Sequence, residues 1–178
     1  TDPANIRLSP TLGGGALYDA GSYAASLVRL AAGRGARRAQ ATANFDRNGV
    51  DLTTVANVEF SDGLVAQVSC SFQAAYYRHA SIAGENGVIE TNYLNHPPVG
   101  GPSQLHIRRG VPGTVMFAPE TVPDGNGFQL EAESFARLVR GQSGGKWDGA
   151  SPEESSDIAL MLDAIRASAK AGGHWVEA

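Results

Sequence analysis

Between residues 13 and 23 the chain reads Gly13-Gly14-Gly15-Ala16-Leu17-Tyr18-Asp19-Ala20-Gly21-Ser22-Tyr23, so a carboxylate and a phenol stand four residues apart. On a helix that spacing puts both side chains on one face, with Cβ atoms about 5–6 Å apart. Ser22 and Ser26 share the face, and an alanine and leucine stripe lies opposite. In the first helical turn the dipole favours an anion, so Asp19 can stay ionised and orient a neighbouring hydroxyl. Tyr23 can exchange hydrogen bonds with a substrate hydroxyl. With an ordinary pKa of about 10, it needs a nearby cation to act as a base at neutral pH. The spacing equally fits a capped helix with a surface Asp and a half-buried Tyr. The triple glycine weighs against that, because three glycines carry a large entropy cost and permit very close backbone approach.

The elements that must position these residues follow from periodicity. Leu17, Ala20, Ala24, Leu27, Val28 and Ala31 make one apolar stripe and predict a helix from Ala16 to about Leu30, stopped by Gly33. Alternating apolar residues then predict strands over Ala39–Phe45, Thr54–Phe60 and Leu64–Phe72, with Asp62-Gly63 as a hairpin turn. Glu85-Asn86-Gly87 predicts a second hairpin between strands near His79–Gly84 and Val88–Thr91. His96–Pro102 reads as a loop, and Leu105, Ile107, Val115 and Phe117 mark two short strands. A helix is predicted over Phe128–Arg140. Another starts at Ser151-Pro152-Glu153-Glu154, a cap, a proline at the first helical position and a capping-box glutamate. Trp175-Val176 adds a final edge strand. The order predicts an α+β fold: an open-faced, mostly antiparallel sheet with helices packed on one face. The other face would carry Val55, Asn57, Glu59, Val65, Gln67, Ser69 and Ser71, and would meet water or a second copy of the chain in a two-fold homodimer.

The bulk numbers narrow the function. With 178 residues, 42% hydrophobic and 18% charged, the chain is globular and long enough for a real core. A net charge of -4 gives no footprint for nucleic acid. No apolar run approaches the roughly 20 residues that cross a bilayer. A single cysteine, Cys70, excludes an internal disulfide and a cysteine zinc site, reads as a buried structural thiol, and fits a cytoplasmic location. His79, His96, His106 and His174 lack metal spacing. Glu153, Glu154 and Asp157 are helix-start charges, and Trp147 and Trp175 are packing residues. The opening Thr1-Asp2-Pro3-Ala4-Asn5 reads as the interior of a longer chain.

Asn5-Ile6-Arg7-Leu8 followed by the Gly13–Tyr23 element resembles the start of the second domain in the Gfo/Idh/MocA oxidoreductases. The branch is that of glucose–fructose oxidoreductase, dihydrodiol dehydrogenase and xylose dehydrogenase. The likeness continues through Gly49-Val50-Asp51, Phe60-Ser61-Asp62-Gly63, Ser69-Cys70-Ser71-Phe72, Ala83-Gly84-Glu85-Asn86-Gly87 and the Ser151–Glu154 helix start, and it covers nearly the whole chain. The resemblance implies a C-terminal domain of the glyceraldehyde-3-phosphate dehydrogenase-like type, often used for dimerisation. Its partner would be a Rossmann domain that binds NAD or NADP and supplies the lysine of a Glu-Lys-Pro motif. Carried over, Asp19 would orient the site and Tyr23, where many relatives have His, would contact the reacting hydroxyl. Arg7, Asn5 and Gly15 would lie on the substrate side, although Arg7 can equally be a packing or surface arginine. The substrate would be a sugar, cyclic polyol or diol.

The departures are as informative. Only two lysines occur, Lys146 and Lys170, and neither lies in Glu-Lys-Pro. Gly33-Arg34-Gly35 follows a helix and reads as a turn, not a phosphate-binding loop. No Rossmann domain is expected in this chain, and hydride transfer by it alone is not expected. The rival reading is a non-catalytic binding or dimerisation module with the same fold.

Overall fold

The computed structural model describes residues 5–91, 104–110, 118–121, 126–142 and 149–178. His96–Pro102, Val115, Phe117, Lys146 and Trp147 lie outside these residues. The chain divides into two compact units, one of residues 1–75 and 151–178, the other of residues 76–150.

In the first unit, two short 3-10 turns (Ile6–Leu8 and Pro10–Leu12) lead into a π-helical turn, Leu17–Gly21, which continues directly as α1, Ser22–Ala32. Strands β1 (Arg38–Phe45), β2 (Asp51–Glu59) and β3 (Val65–Ser71) follow. Helix α3, Pro152–Lys170, and the short edge strand β8, Val176–Glu177, complete the unit. The sheet order is β3-β2-β1-β8, with every pairing antiparallel. Asp62-Gly63 closes the β2–β3 hairpin, where the Phe60 amide donates to the Leu64 carbonyl.

Alternation decides which face is covered. Thr54, Ala56, Val58, Val68 and Cys70 point inward with Ala39 and Ala41, and meet Leu17, Ala25, Met161, Leu162 and Ile165 from the helical layer. The alanines allow close approach, while the larger side chains supply about 1.5–3 kcal/mol each on full burial. The capping box of α3 is complete, with Ser151 accepting from the Glu154 amide and Glu154 accepting from the Ser151 amide. At the far end of α3 the buried Ser168 hydroxyl accepts from the Ala41 amide and donates to the His174 carbonyl. Arg29 of α1 holds Asp157 of α3 at 2.6 Å, with Glu154 at 3.8 Å. Of the predicted helix-start charges, Glu154 and Asp157 therefore serve packing between the two helices.

One expectation in the first helix holds only in part: Leu17 is buried and Ala20, Ala24 and Val28 pack against the core. The buried stripe is Leu17, Gly21, Ala25 and Ala32, while Ala31 is exposed and Ala20 and Ala24 are only partly covered. The wide π turn inserts an extra residue per turn at its start, which shifts the register of every position after it. Gly21 packs closely there: a Cβ would stand 3.1 Å from both Cys70 Sγ and Leu17 Cδ1.

The uncovered face of the sheet carries Val55, Asn57, Val65, Gln67 and Ser69, as alternation predicts; Val55 is 52% and Val65 72% exposed. Gln67 donates to its cross-strand neighbour Asn57 at 3.1 Å. Trp175 packs under the Arg38 guanidinium, 4.6 Å from its ring centre.

The second unit has its own antiparallel sheet, β4 (Ala80–Gly84), β5 (Gly87–Thr91), β6 (Gln104–Arg109) and β7 (Ala118–Thr121), in that order, and helix α2, Gly127–Val139. Gly84 pairs with Gly87 around Glu85-Asn86, the predicted hairpin. The fold class is thus the α+β arrangement expected, with its strands divided between two four-stranded sheets. Among the described residues no helix is long and apolar enough to cross a membrane.

Candidate active site

The site is built at the entry to α1. Asn5 caps the first 3-10 turn, its side-chain oxygen accepting from the Arg7 amide at 3.0 Å. The chain then doubles back on itself. Gly14 donates to the Ser9 carbonyl at 2.8 Å and Gly15 to the Arg7 carbonyl at 3.0 Å. A Cβ on Gly14 would stand 2.6 Å from the Arg7 carbonyl oxygen, and one on Gly15 would stand 2.0 Å from Oδ1 of Asp51. Gly15 also has a φ of +133°, which side-chain-bearing residues rarely adopt. The triple glycine is therefore required by close approach at two of its positions.

Asp19 lies in the π turn. Its amide donates to the Gly15 carbonyl at 3.2 Å, and its carbonyl accepts from the Ser22 hydroxyl at 2.9 Å. Its carboxylate receives Arg7 Nε at 2.9 Å; both side chains remain partly open to solvent. Tyr23, in the first turn of α1, is 47% exposed, and its hydroxyl makes no hydrogen bond among the described residues. Of the five residues singled out by sequence, Asn5, Arg7, Gly15 and Asp19 are thus joined by hydrogen bonds. Tyr23 follows one turn later and is not bonded to Asp19. A carboxylate fixed by a guanidinium and open to solvent can bind and orient a polyhydroxyl ligand.

Four further residues hold this segment, Asp51, Tyr18, Asp163 and Arg166, and none was singled out as a site residue. Asp51, buried at the start of β2, accepts the Leu17 amide at 2.7 Å and the Thr54 hydroxyl at 3.1 Å. The Tyr18 hydroxyl donates to Asp163 of α3, and the Arg166 guanidinium lies over its ring. Burial, then the bond to Asp163, raises the Tyr18 pKa, with Arg166 opposing. The sequence signals were present but slight. Tyr18 sits inside the glycine–aspartate element, and Asp51 opens a strand whose neighbours are apolar.

The remaining candidates are structural. Burial, reinforced by the Asp51 charge, pushes the Cys70 thiol up to about 12, so it stays protonated and inert. His79 stacks on Tyr77, and among the described residues no group of side chains is placed to hold a metal ion. Gly33-Arg34-Gly35 does not suit a dinucleotide's phosphates, because it leaves a helix and enters a strand, the reverse of a phosphate-binding turn.

Comparison with known proteins agrees with this arrangement. Residues 1–90 match the family model described as the GFO/IDH/MocA C-terminal domain. D-xylose 1-dehydrogenase (NADP(+)) 2 of Haloferax volcanii is 30% identical over 94% of this chain and 50% of its own length. An oxidoreductase of Rhizobium meliloti is 28% identical over 80% of this chain and 43% of its own. The chain spans about half the length of the curated relatives it matches. Among solved structures, aldose-aldose oxidoreductase from Caulobacter crescentus superposes with a TM-score of 0.80 at 21% identity, over 100% of this chain and 52% of that one. A 3-ketoreductase from Actinomadura kijaniata, solved with NADP, superposes with a TM-score of 0.78 at 24% identity, over 94% and 50%. The likeness at this low identity is one of fold, and the family match adds the sequence evidence: the chain belongs to the GFO/IDH/MocA C-terminal domain family.

Proposed function

We propose that this chain is the substrate-side domain of an NAD(P)-dependent oxidoreductase that acts on the hydroxyl or carbonyl of a sugar, cyclic polyol or diol. The observation that carries the reading is the Arg7–Asp19 pair at 2.9 Å, with Tyr23 four residues further along the chain and 47% exposed. The names of the relatives support it: a xylose dehydrogenase, an aldose oxidoreductase and a ketoreductase. In this proposal Tyr23 binds the reacting oxygen, Asp19 orients the ligand's hydroxyls, and Arg7 holds the Asp19 carboxylate in place. Asn5 and Gly15 shape the substrate-side wall. The nicotinamide accepts or gives the hydride and is held by a Rossmann domain, as the relatives' cofactors suggest. The chain alone is then inactive, and the enzyme works in the cytoplasm.

The uncovered sheet face, with Val55 and Val65 exposed, supports homodimerisation through that face. The same surface favours the second reading, an assembly module without redox chemistry. Purified protein carrying this chain together with its Rossmann domain separates the two. Reduction of NAD or NADP on addition of aldoses or cyclic polyols supports the enzyme. A dimer that turns over none of them supports the module.

A further inference from the structure

We infer that Asp51 is a positioning residue for the reaction, holding the segment that carries Asp19 and Tyr23 against the sheet; this rests on the reading of the site given above. Asp51 is almost fully buried, and a buried carboxylate is costly unless hydrogen-bonded. Its Oδ2 takes both available donors, the Leu17 amide and the Thr54 hydroxyl. Leu17 opens the π turn, so its amide is one of those a helix start leaves without a partner, where a negative charge is also favoured. The other oxygen, Oδ1, fills the space that a side chain on residue 15 would need. Gly15 in turn donates to the Arg7 carbonyl and accepts from the Asp19 amide.

One carboxylate therefore meets this loop at Gly15 and Leu17, and the Gly15 backbone carries the connection on to Arg7 and to Asp19. It stands on β2, an interior strand of its sheet with neighbours on both sides. Asp19 itself sits on a wide turn between a glycine run and α1. The rigid reference for Asp19 is the sheet, and Asp51 is the link. An ordinary stabilising cap would affect folding alone. A positioning residue affects the rate at constant fold, because small misplacement of reacting groups is costly.

The test uses the enzyme carrying this chain with its Rossmann domain, and compares Asp51→Ala, Asp51→Asn, Thr54→Val and Tyr23→Phe for kcat, KM and thermal midpoint. Asp51→Ala should lower kcat by about tenfold or more with KM within about threefold. Asp51→Asn, which keeps an oxygen for the Leu17 amide, should restore most of that kcat. Thr54→Val, which removes one donor and leaves the strand intact, should lower kcat by about twofold to fivefold and carries the test should Asp51→Ala not fold. The inference is overturned when Asp51→Ala, or Thr54→Val in its place, keeps the parental kcat while Tyr23→Phe loses it. It is equally overturned when the Asp51→Ala loss vanishes after correction for the folded fraction. Should Tyr23→Phe also keep full turnover, the site reading itself has failed.

Discussion

The Asp51 carboxylate takes the Leu17 amide at 2.7 Å across 34 positions of sequence, and it lies where a side chain on Gly15 would have to stand. This packing makes a stability prediction that needs no substrate. Gly15→Ala forces a Cβ to 2.0 Å from Oδ1 at a φ of +133°, and should cost about 2–4 kcal/mol. Removing the obstruction with Asp51→Ala should recover part of that cost. In a double-mutant cycle by urea unfolding the two changes should be clearly less than additive. Strict additivity would mean the two residues do not share this space.

Arg7 and Asp19 form a pair open to solvent on both sides, and such pairs contribute at most about 1 kcal/mol. Arg7→Gln should leave the thermal midpoint nearly unchanged while lowering kcat/KM for a sugar substrate by about tenfold. Scanning calorimetry beside steady-state rates checks both halves. Full activity in this variant would remove Arg7 from the site.

Alkaline pH should weaken the fold through Cys70. Burial raises its pKa from 9.0 to about 12, so the folded chain holds a proton that the unfolded chain releases. The stabilisation is complete below the unfolded value and is lost progressively as pH rises towards the folded one. Tyr18, also raised, acts in the same direction. Urea midpoints measured from neutral pH upwards should fall less steeply in Cys70→Ala than in the parent. Parallel curves would show that the thiol does not carry the effect.

For the uncovered sheet face, sedimentation velocity is the direct check. Val65 is 72% exposed in the single chain, so burying it against a second copy should make Val65→Glu dissociate the dimer without lowering the thermal stability of the monomer. A parent that sediments as a monomer at high concentration would rule the interface out.

Most of the architecture was legible because it rests on short-range regularities. The period-two alternation of Leu64–Phe72, the Asp62-Gly63 turn and the Ser151–Glu154 capping box each lie within a few residues, and each reappears in place. The π turn was not legible. Gly21 of that turn packs against Cys70 of β3, a contact that periodicity along the helix does not carry. The glycine–Asp19 element could be recognised as a unit, but its supports could not. Asp51 reaches Leu17 from β2, and Asp163 reaches Tyr18 from α3, both across the fold. Nor did alternation reveal that the strands divide into two sheets, since it reports which face is buried and not which neighbour lies alongside.

The central claim is that Tyr23 contacts the reacting oxygen, and the turnover of Tyr23→Phe in the enzyme carrying this chain with its Rossmann domain tests it most directly. Tyr23 is exposed and unbonded, so the substitution should leave folding intact. The account predicts a fall in kcat/KM of about 10²-fold or more on sugar substrates. Undiminished turnover by the phenylalanine variant would contradict it.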